Sequence, residues 1–296
     1  MSDSFWISHR ENIPEESRLV LNEYLLSLKL ANKAEATIRK YKRILEQFLR
    51  GCTISLESLT SEDVLTWLNE FSKDKKPRTI DLYHACLSSF FQFCLEEEFM
   101  ENMVMKKRWR PKITQSLPKY LTEEDYAKVR LATEELSLRN RALILFLFSS
   151  GCRRGELCNL TIGDVNLEKR TANVVGKGNK RRAIHFSIEC AIVLGEYLQT
   201  RGKYEDTDPL FMNKFGQALG PNGVLKITHQ LGKKAGLNQS LHPHVCRHTF
   251  ATNILARGAD LPFIAEEMGH ADLNTTRVYA RIPTEEMINE YQNKMG

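Results

Sequence analysis

Two arginines stand in short polar contexts at predicted helix starts. Arg153 lies in Ser150-Gly151-Cys152-Arg153-Arg154-Gly155-Glu156-Leu157, and Arg247 in His244-Val245-Cys246-Arg247-His248. A planar guanidinium matches paired phosphate oxygens, so two of them suit the five-coordinate transition state of a phosphodiester. A lysine, Lys177, occupies the glycine turn Gly176-Lys177-Gly178-Asn179-Lys180. Further along, His270 follows Gly269 and precedes Tyr279 by nine residues. Tyrosine can act as a covalent nucleophile while lysine and histidine move protons. Taken singly, each residue has a bland reading: Arg153 can pair with Glu156, and a tyrosine is more often a packing residue.

Other chemistries lack support. The chain has no G-x-x-x-x-G-K-[ST] and no G-x-G-x-x-G after a strand, so nucleotide cofactors are not expected. The run His242-Pro243-His244-Val245-Cys246-Arg247-His248 looks like a metal cluster at first sight. On a helix only His244 and His248 share a face, the H-E-x-x-H glutamate is missing, and Arg247 would repel a cation. Neither a metal nor a cofactor is expected. Seven scattered cysteines without a C-x-x-C pair read as reduced thiols, which predicts a cytoplasmic protein. The longest apolar run covers seven residues, 142–148, against roughly 20 for a membrane span. Met1-Ser2-Asp3-Ser4 has no basic or apolar signal-peptide character, so neither secretion nor a membrane partner is expected.

The elements that must position these residues are mostly helical. Leu25, Leu28, Ile38, Tyr41, Ile44, Leu45, Phe48 and Leu49 recur at three and four. Thr60-Ser61-Glu62-Asp63 is a capping box, and a fourth helix runs over 78–98 after Pro77. The second half opens on a further capping box at Thr122, followed by a buried helix over 139–150 that ends at Gly151. Segments 171–175 and 181–186 flank the glycine turn as a β-hairpin. Helices are predicted at 187–200, 221–234, 244–256, 261–268, 274–280 and 284–293. The fold class is mainly α with a small β-hairpin or sheet.

Charge is uneven along the 296 residues, whose net charge is +5. Residues 1–105 carry −4, residues 106–119 carry +6 with no acid, and residues 120–296 carry +3. The basic stretch holds Lys107, Arg108 and Arg110 and two prolines, and reads as an extended linker able to track phosphates. The helix near 37–50 presents Arg39, Lys40 and Arg43 on its polar side, and the fourth helix presents Arg78 and Ser88. With Lys180 and Arg181 beside the turn, these form a candidate phosphate-facing surface for a polyanion.

Four boxes in order, Gly151–Leu157, Gly176–Lys180, His244–His248 and Gly269–Tyr279, resemble those of the tyrosine recombinase (phage-integrase-like) family. The resemblance covers nearly the whole chain and is nearest to simple two-domain Xer-type members. It implies a helical core-binding domain at 1–105, the linker at 106–119, and a mixed α/β catalytic domain at 120–296 that clamps duplex DNA with its partner domain. It further implies that Arg153 and Arg247 hold the phosphate, Lys177 protonates the leaving 5′-oxygen, and His244 is the general base. His270 then bonds the phosphate, and Tyr279 is the nucleophile of a 3′-phosphotyrosine intermediate. The partners implied are double-stranded DNA with specific recombination sites and a tetramer passing through a Holliday junction. A paralogous recombinase or an accessory protein is a further candidate, and the last helix would dock in trans on a neighbour. The rival readings are a non-catalytic DNA-binding regulator of the same fold and a type IB topoisomerase-like enzyme.

The lysine assignment gives a first test. Lys177→Ala should slow strand cleavage at an ordinary 5′-oxygen and be largely spared with a 5′-bridging phosphorothioate, whose thiolate leaves without a proton. Single-turnover cleavage of both substrates measures this. Equal losses on the two leave Lys177 with phosphate binding alone.

Overall fold

The apolar spacing of the first hundred residues becomes four helices, α1 (Glu15–Leu30), α2 (Glu35–Gly51), α3 (Ser61–Ser72) and α4 (Pro77–Glu96). The computed structural model describes residues 4–113, 118–176, 179–270 and 275–279. The chain divides into two units, Met1–Gln115 and Ser116–Gly296. In the first, the Thr60 hydroxyl accepts from the Asp63 amide while the Asp63 carboxylate accepts from Thr60, so the expected capping box starts α3. Pro77 starts α4, where its missing N–H costs nothing. Leu21, Leu25, Ile38, Leu45, Phe48, Phe90 and Phe91 fill the core. Phe48 meets Trp67 and Phe91 edge-on at 5.0 and 5.6 Å.

The basic segment departs from the extended linker expected from residue 106. Val104 and Met105 are buried in the first unit, Lys107–Trp109 form a 3-10 turn, and Trp109 packs against the same core. The His84 ring donates from Nε2 to the Lys106 carbonyl at 3.1 Å, and Arg110 pairs with Asp81. Apolar anchors at 104, 105 and 109 thus hold the start of the basic run to the helices.

The second unit is built around α6 (Leu138–Ser150), in which Ala142 through Phe148 are all buried. A helix apolar on every side belongs at the centre. Around it lie α5 (Glu123–Glu134), α7 (Arg154–Asn159), α8 (Ile188–Thr200), α9 (Pro221–Lys234), α10 (Pro243–Ala256) and α11 (Leu261–Met268). Strands β1 (Val165–Asn166), β2 (Thr171–Val175) and β3 (Arg181–His185) make an antiparallel sheet in sequence order, with Thr171 opposite His185 and Val175 opposite Arg181. Both expected hairpin strands are present, the second ending at His185, one residue earlier than expected. The two-residue β1 and six-residue α7 are too short to give a periodic signal. A smaller cluster of Phe250, Ala251, Ile264, Met268 and Tyr279 lies against α10 and α11. The predicted terminal helix at 284–293, with its docking in trans, lies outside the described residues. No described helix is long and apolar enough to cross a membrane.

Gly151 ends α6 at φ +58°, and a Cβ there would lie 2.3 Å from the Phe250 ring. Gly151→Ala should therefore destabilise the second unit by about 2–4 kcal/mol, combining a left-handed backbone penalty with overpacking. Urea unfolding checks this, and an unchanged midpoint would contradict the packing described.

Candidate active site

The site is assembled around one carboxylate. Glu156, on the first turn of α7, has a side chain only 3% exposed. It accepts from the Arg153 backbone amide at 2.8 Å, from Arg153 Nη1 at 2.8 Å, and from Arg182 Nη1 and Nη2 at 2.8 and 3.0 Å. Burial opposes its ionisation, but these donors prevail and hold its pKa below the usual carboxylate range. The C-terminus of α11 supplies the second set of partners through three successive carbonyls. The Glu267 carbonyl accepts from Arg182 Nε at 3.2 Å, Met268 from Arg247 Nη2, and Gly269 from Arg153 Nη2 at 2.8 Å. Gly269 takes φ +61°, and a Cβ there would meet Arg182 Cζ at 2.7 Å. Only glycine allows this turn and this approach together.

Arg247 is the most exceptional of the three. It is 5% exposed, its Nη1 donates to the Gly151 carbonyl at 2.6 Å, and no carboxylate lies within ion-pairing distance among the described residues. Burial, with Arg153 adding to it, pushes it down to about 10. Three guanidinium groups facing one carboxylate leave a positive surplus that a bound anion would neutralise.

His270 Nε2 accepts from Arg247 Nη2 at 3.1 Å, which requires its Nδ1–H to donate to Thr276 Oγ1 at 2.8 Å. Burial, followed by Arg247 and Arg153, holds His270 down at about 4, so the ring is neutral. Tyr279 is 1% exposed and its phenol donates to His248 Nδ1 at 2.7 Å. Burial raises Tyr279 to about 12 against the pull of Arg247, and it lowers His248 to about 4. The pair is thus a neutral phenol on a neutral imidazole, arranged for proton transfer. Arg247 and His248 are consecutive residues of α10, so one helix addresses both the anion pocket and the tyrosine.

The Phage integrase family profile matches residues 119–286, and that of the phage integrase N-terminal SAM-like domain matches residues 20–101. The chain belongs to the phage integrase family. Among curated relatives, tyrosine recombinase XerA of Pyrococcus horikoshii is 36% identical over 274 residues, covering 90% of each chain. Tyrosine recombinase XerD of Listeria innocua is 33% identical over 261 residues, covering 83% of this chain and 88% of the relative. The solved structure of XerH recombinase bound to palindromic difH substrate has the same fold, with a TM-score of 0.78 at 23% identity over 99% of this chain and 93% of that one.

Of the family residues expected from the sequence, the structure brings Arg153, Arg247, His270 and Tyr279 together through the contacts above. Lys177 lies outside the described residues. His244 is exposed on α10, its ring 6.2 Å from that of His242, and burial with its cationic neighbours lowers its pKa. Among the candidate phosphate contacts, Lys40, Arg43, Arg78, Lys107, Arg108, Lys180 and Arg181 are exposed. Arg39 is exposed and paired with Glu35 at 2.6 Å, and Arg110 is paired with Asp81. Ser88 is half-buried, with its hydroxyl 3.4 Å from His84 Nδ1.

Three contributors escaped the sequence reading. Arg182, next to the candidate phosphate contacts Lys180 and Arg181, is turned inward onto Glu156. Its position on β3 shows alternation with exposed Arg181 and Ala183, a signal that was available. Glu156 was seen only as a partner for Arg153. His248 was noted for sharing a helix face with His244, yet its contact with Tyr279 depends on chain far away in sequence.

Neutral His248 and His270 carry a stability consequence. Both have folded pKa values below the ordinary 6.5, so the unfolded chain binds protons that the folded chain refuses. Stability should rise with pH between about 4 and 6.5, by up to about 1.4 kcal/mol per pH unit for each ring. Unfolding free energies at pH 7 and pH 5 for wild type and His270→Gln measure this. The variant should lose less on acidification, and an equal loss would contradict a neutral His270.

Proposed function

We propose that this protein is a site-specific DNA recombinase that cuts and rejoins strands through a 3′-phosphotyrosine intermediate. The observation that carries the reading is the buried Arg247, without a carboxylate partner among the described residues, directly preceding the histidine that holds the Tyr279 phenol. Arg153 and Arg247 bind the nonbridging oxygens of the scissile phosphate and stabilise the charge of its five-coordinate state. The Tyr279 oxygen attacks phosphorus, the bond to the 5′-oxygen breaks, and Lys177 gives that oxygen its proton. His244 and His248, one turn apart on α10, are imidazoles able to take the phenol proton, and His248 accepts the phenol's hydrogen bond in the described state. The phosphate's charge favours protonation of His270, which then donates to it. The 5′-hydroxyl of another strand reverses the attack, and the covalent link retains the bond energy meanwhile.

Two rounds of this exchange pass through a Holliday junction held by a tetramer on two sites, with residues 1–105 as core-binding domain and 120–296 as catalytic domain closing on the duplex. Arg39, Lys40, Arg43, Arg78, Lys107, Arg108, Lys180 and Arg181 face phosphates in that arrangement, which gives strongly salt-dependent binding. The relatives XerA and XerD are tyrosine recombinases, and XerH recombinase has been solved bound to palindromic difH substrate, which supports DNA as substrate here. The protein acts in the cytoplasm, and the segment beyond Ile282 links neighbouring protomers.

Sequencing DNA trapped in covalent adducts identifies the site, and plasmids carrying two copies or none then test the reading. Recombinant circles should appear only from the two-site plasmid. Relaxation of a plasmid lacking the site would favour a topoisomerase, and binding with no strand joining would favour a regulator.

A further inference from the structure

The basic run after the first four helices is fastened to α4 at both ends of its 3-10 turn. The Lys106 carbonyl accepts from the Trp109 amide at 3.0 Å and from His84 Nε2 at 3.1 Å. The Ser88 hydroxyl lies 3.4 Å from the other ring nitrogen of His84. Beyond the turn, Trp109 packs against the core of the first unit, and Arg110 Nε donates to the Asp81 carboxylate. Lys106 Nζ lies over the Trp109 ring, 5.8 Å from its centre. Two cations of the run, Lys106 and Arg110, are thus engaged within the protein, while Lys107 and Arg108 between them stay exposed. Arg78, Asp81, His84 and Ser88 follow one another at three and four along α4, so the turn is fastened to the face that carries Arg78.

Asp81 has the wrong charge for a surface that meets phosphates. It is the only acid between residues 77 and 95. The hydrogen bond from Arg110 holds its carboxyl below the usual carboxylate range, so it stays charged. An ion pair whose arginine is 59% exposed adds little to stability, so folding alone gives scant reason for it. Its effect is geometrical. It fixes the chain just after Lys107 and Arg108, as His84 fixes it just before.

We propose that Asp81 is a positioning residue for DNA binding. By holding Arg110 it keeps Lys107 and Arg108 folded against α4, where with Arg78 they form one preformed surface for backbone phosphates. This rests on the reading of the protein as a DNA recombinase. A loose basic chain would also be drawn to DNA, but it would lose conformational freedom on binding. A turn ordered beforehand has already given that freedom up. Asp81 touches no phosphate in this account and acts through Arg110.

Charge alone predicts the opposite sign. Asp81→Ala removes a negative charge and frees a cation, which by electrostatics should tighten binding to a polyanion. Affinity of the full-length protein for a labelled duplex of arbitrary sequence is measured across a salt series, because phosphate contacts need no particular sequence. Asp81→Ala should bind about fivefold more weakly than wild type, the order of effect of immobilising one long side chain. Asp81→Glu, which restores the carboxylate, should recover most of that loss. The loss should vanish when Lys107 and Arg108 are both replaced by alanine, since Asp81 acts through their position. Timed trypsin digestion without DNA, with the cuts mapped by mass spectrometry, should show faster cleavage after Lys107 and Arg108 in Asp81→Ala. Unchanged or tighter binding by Asp81→Ala, unchanged cleavage, or the same loss in the Lys107→Ala/Arg108→Ala background would overturn the proposal while wild type still binds DNA. Absence of salt-dependent DNA binding by wild type would remove the recombinase reading and the proposal with it.

Discussion

The arrangement depends on the last turn of α11. Three guanidinium groups converge there, and their repulsion is offset chiefly by the ionised Glu156 and the open carbonyls of a helix C-terminus. Such a terminus carries roughly half a negative charge, concentrated in the groups that these arginines meet. Burial already lowers Arg247 to about 10, and these carbonyls partner the charge that it keeps inside the protein. Gly269 makes the carbonyls accessible by turning the chain left-handed, and Gly151 presents a further carbonyl to Arg247 from the end of α6. The free site is thus a set of cations oriented by dipoles and short of negative charge. In the proposed reaction a phosphodiester supplies the missing negative charge.

The same geometry links the Tyr279 phenol to the arginine cluster. Arg247 and His248 are adjacent on α10, so a shift of that helix moves anion binding and the Tyr279 contact together. Burial keeps the phenol protonated at about 12 and keeps its histidine neutral. Without an anion, proton transfer between them would create charge in a pocket already rich in cations. A phosphate reverses that balance, because its negative charge stabilises an imidazolium close by. In the proposed reaction, Tyr279 is therefore activated only when DNA is bound, through electrostatics.

How much of this the sequence disclosed follows from the range of each interaction. The periodic helices, the capping box at Thr60, the N-cap at Thr122 and the hairpin strands are local, and residue types and spacing located them. Arg153, Arg247, His270 and Tyr279 were legible as chemistry because their boxes are short and ordered. Their meeting place was not legible. It depends on backbone carbonyls, which every residue has and no motif marks, and on pairs such as Arg153 with Gly269 or His248 with Tyr279 that are far apart along the chain. Arg182 shows the limit well: among consecutive cations, only the strand's alternation distinguishes the inward one from its neighbours. The early part of the basic run reads as linker by charge, yet the apolar residues within and before it bind it to a core.

The central claim is that Tyr279 attacks a phosphate seated on Arg153 and Arg247. The most direct measurement traps the protein on a site nicked so that the 5′-hydroxyl fragment diffuses away, digests the adduct, and identifies the modified peptide by mass spectrometry. The account predicts a single phosphodiester-linked residue, Tyr279, joined to the 3′ end of the cleaved strand, with no adduct from Arg247→Ala. A nucleotide attached to any other residue, or an undiminished Tyr279 adduct in Arg247→Ala, would contradict it.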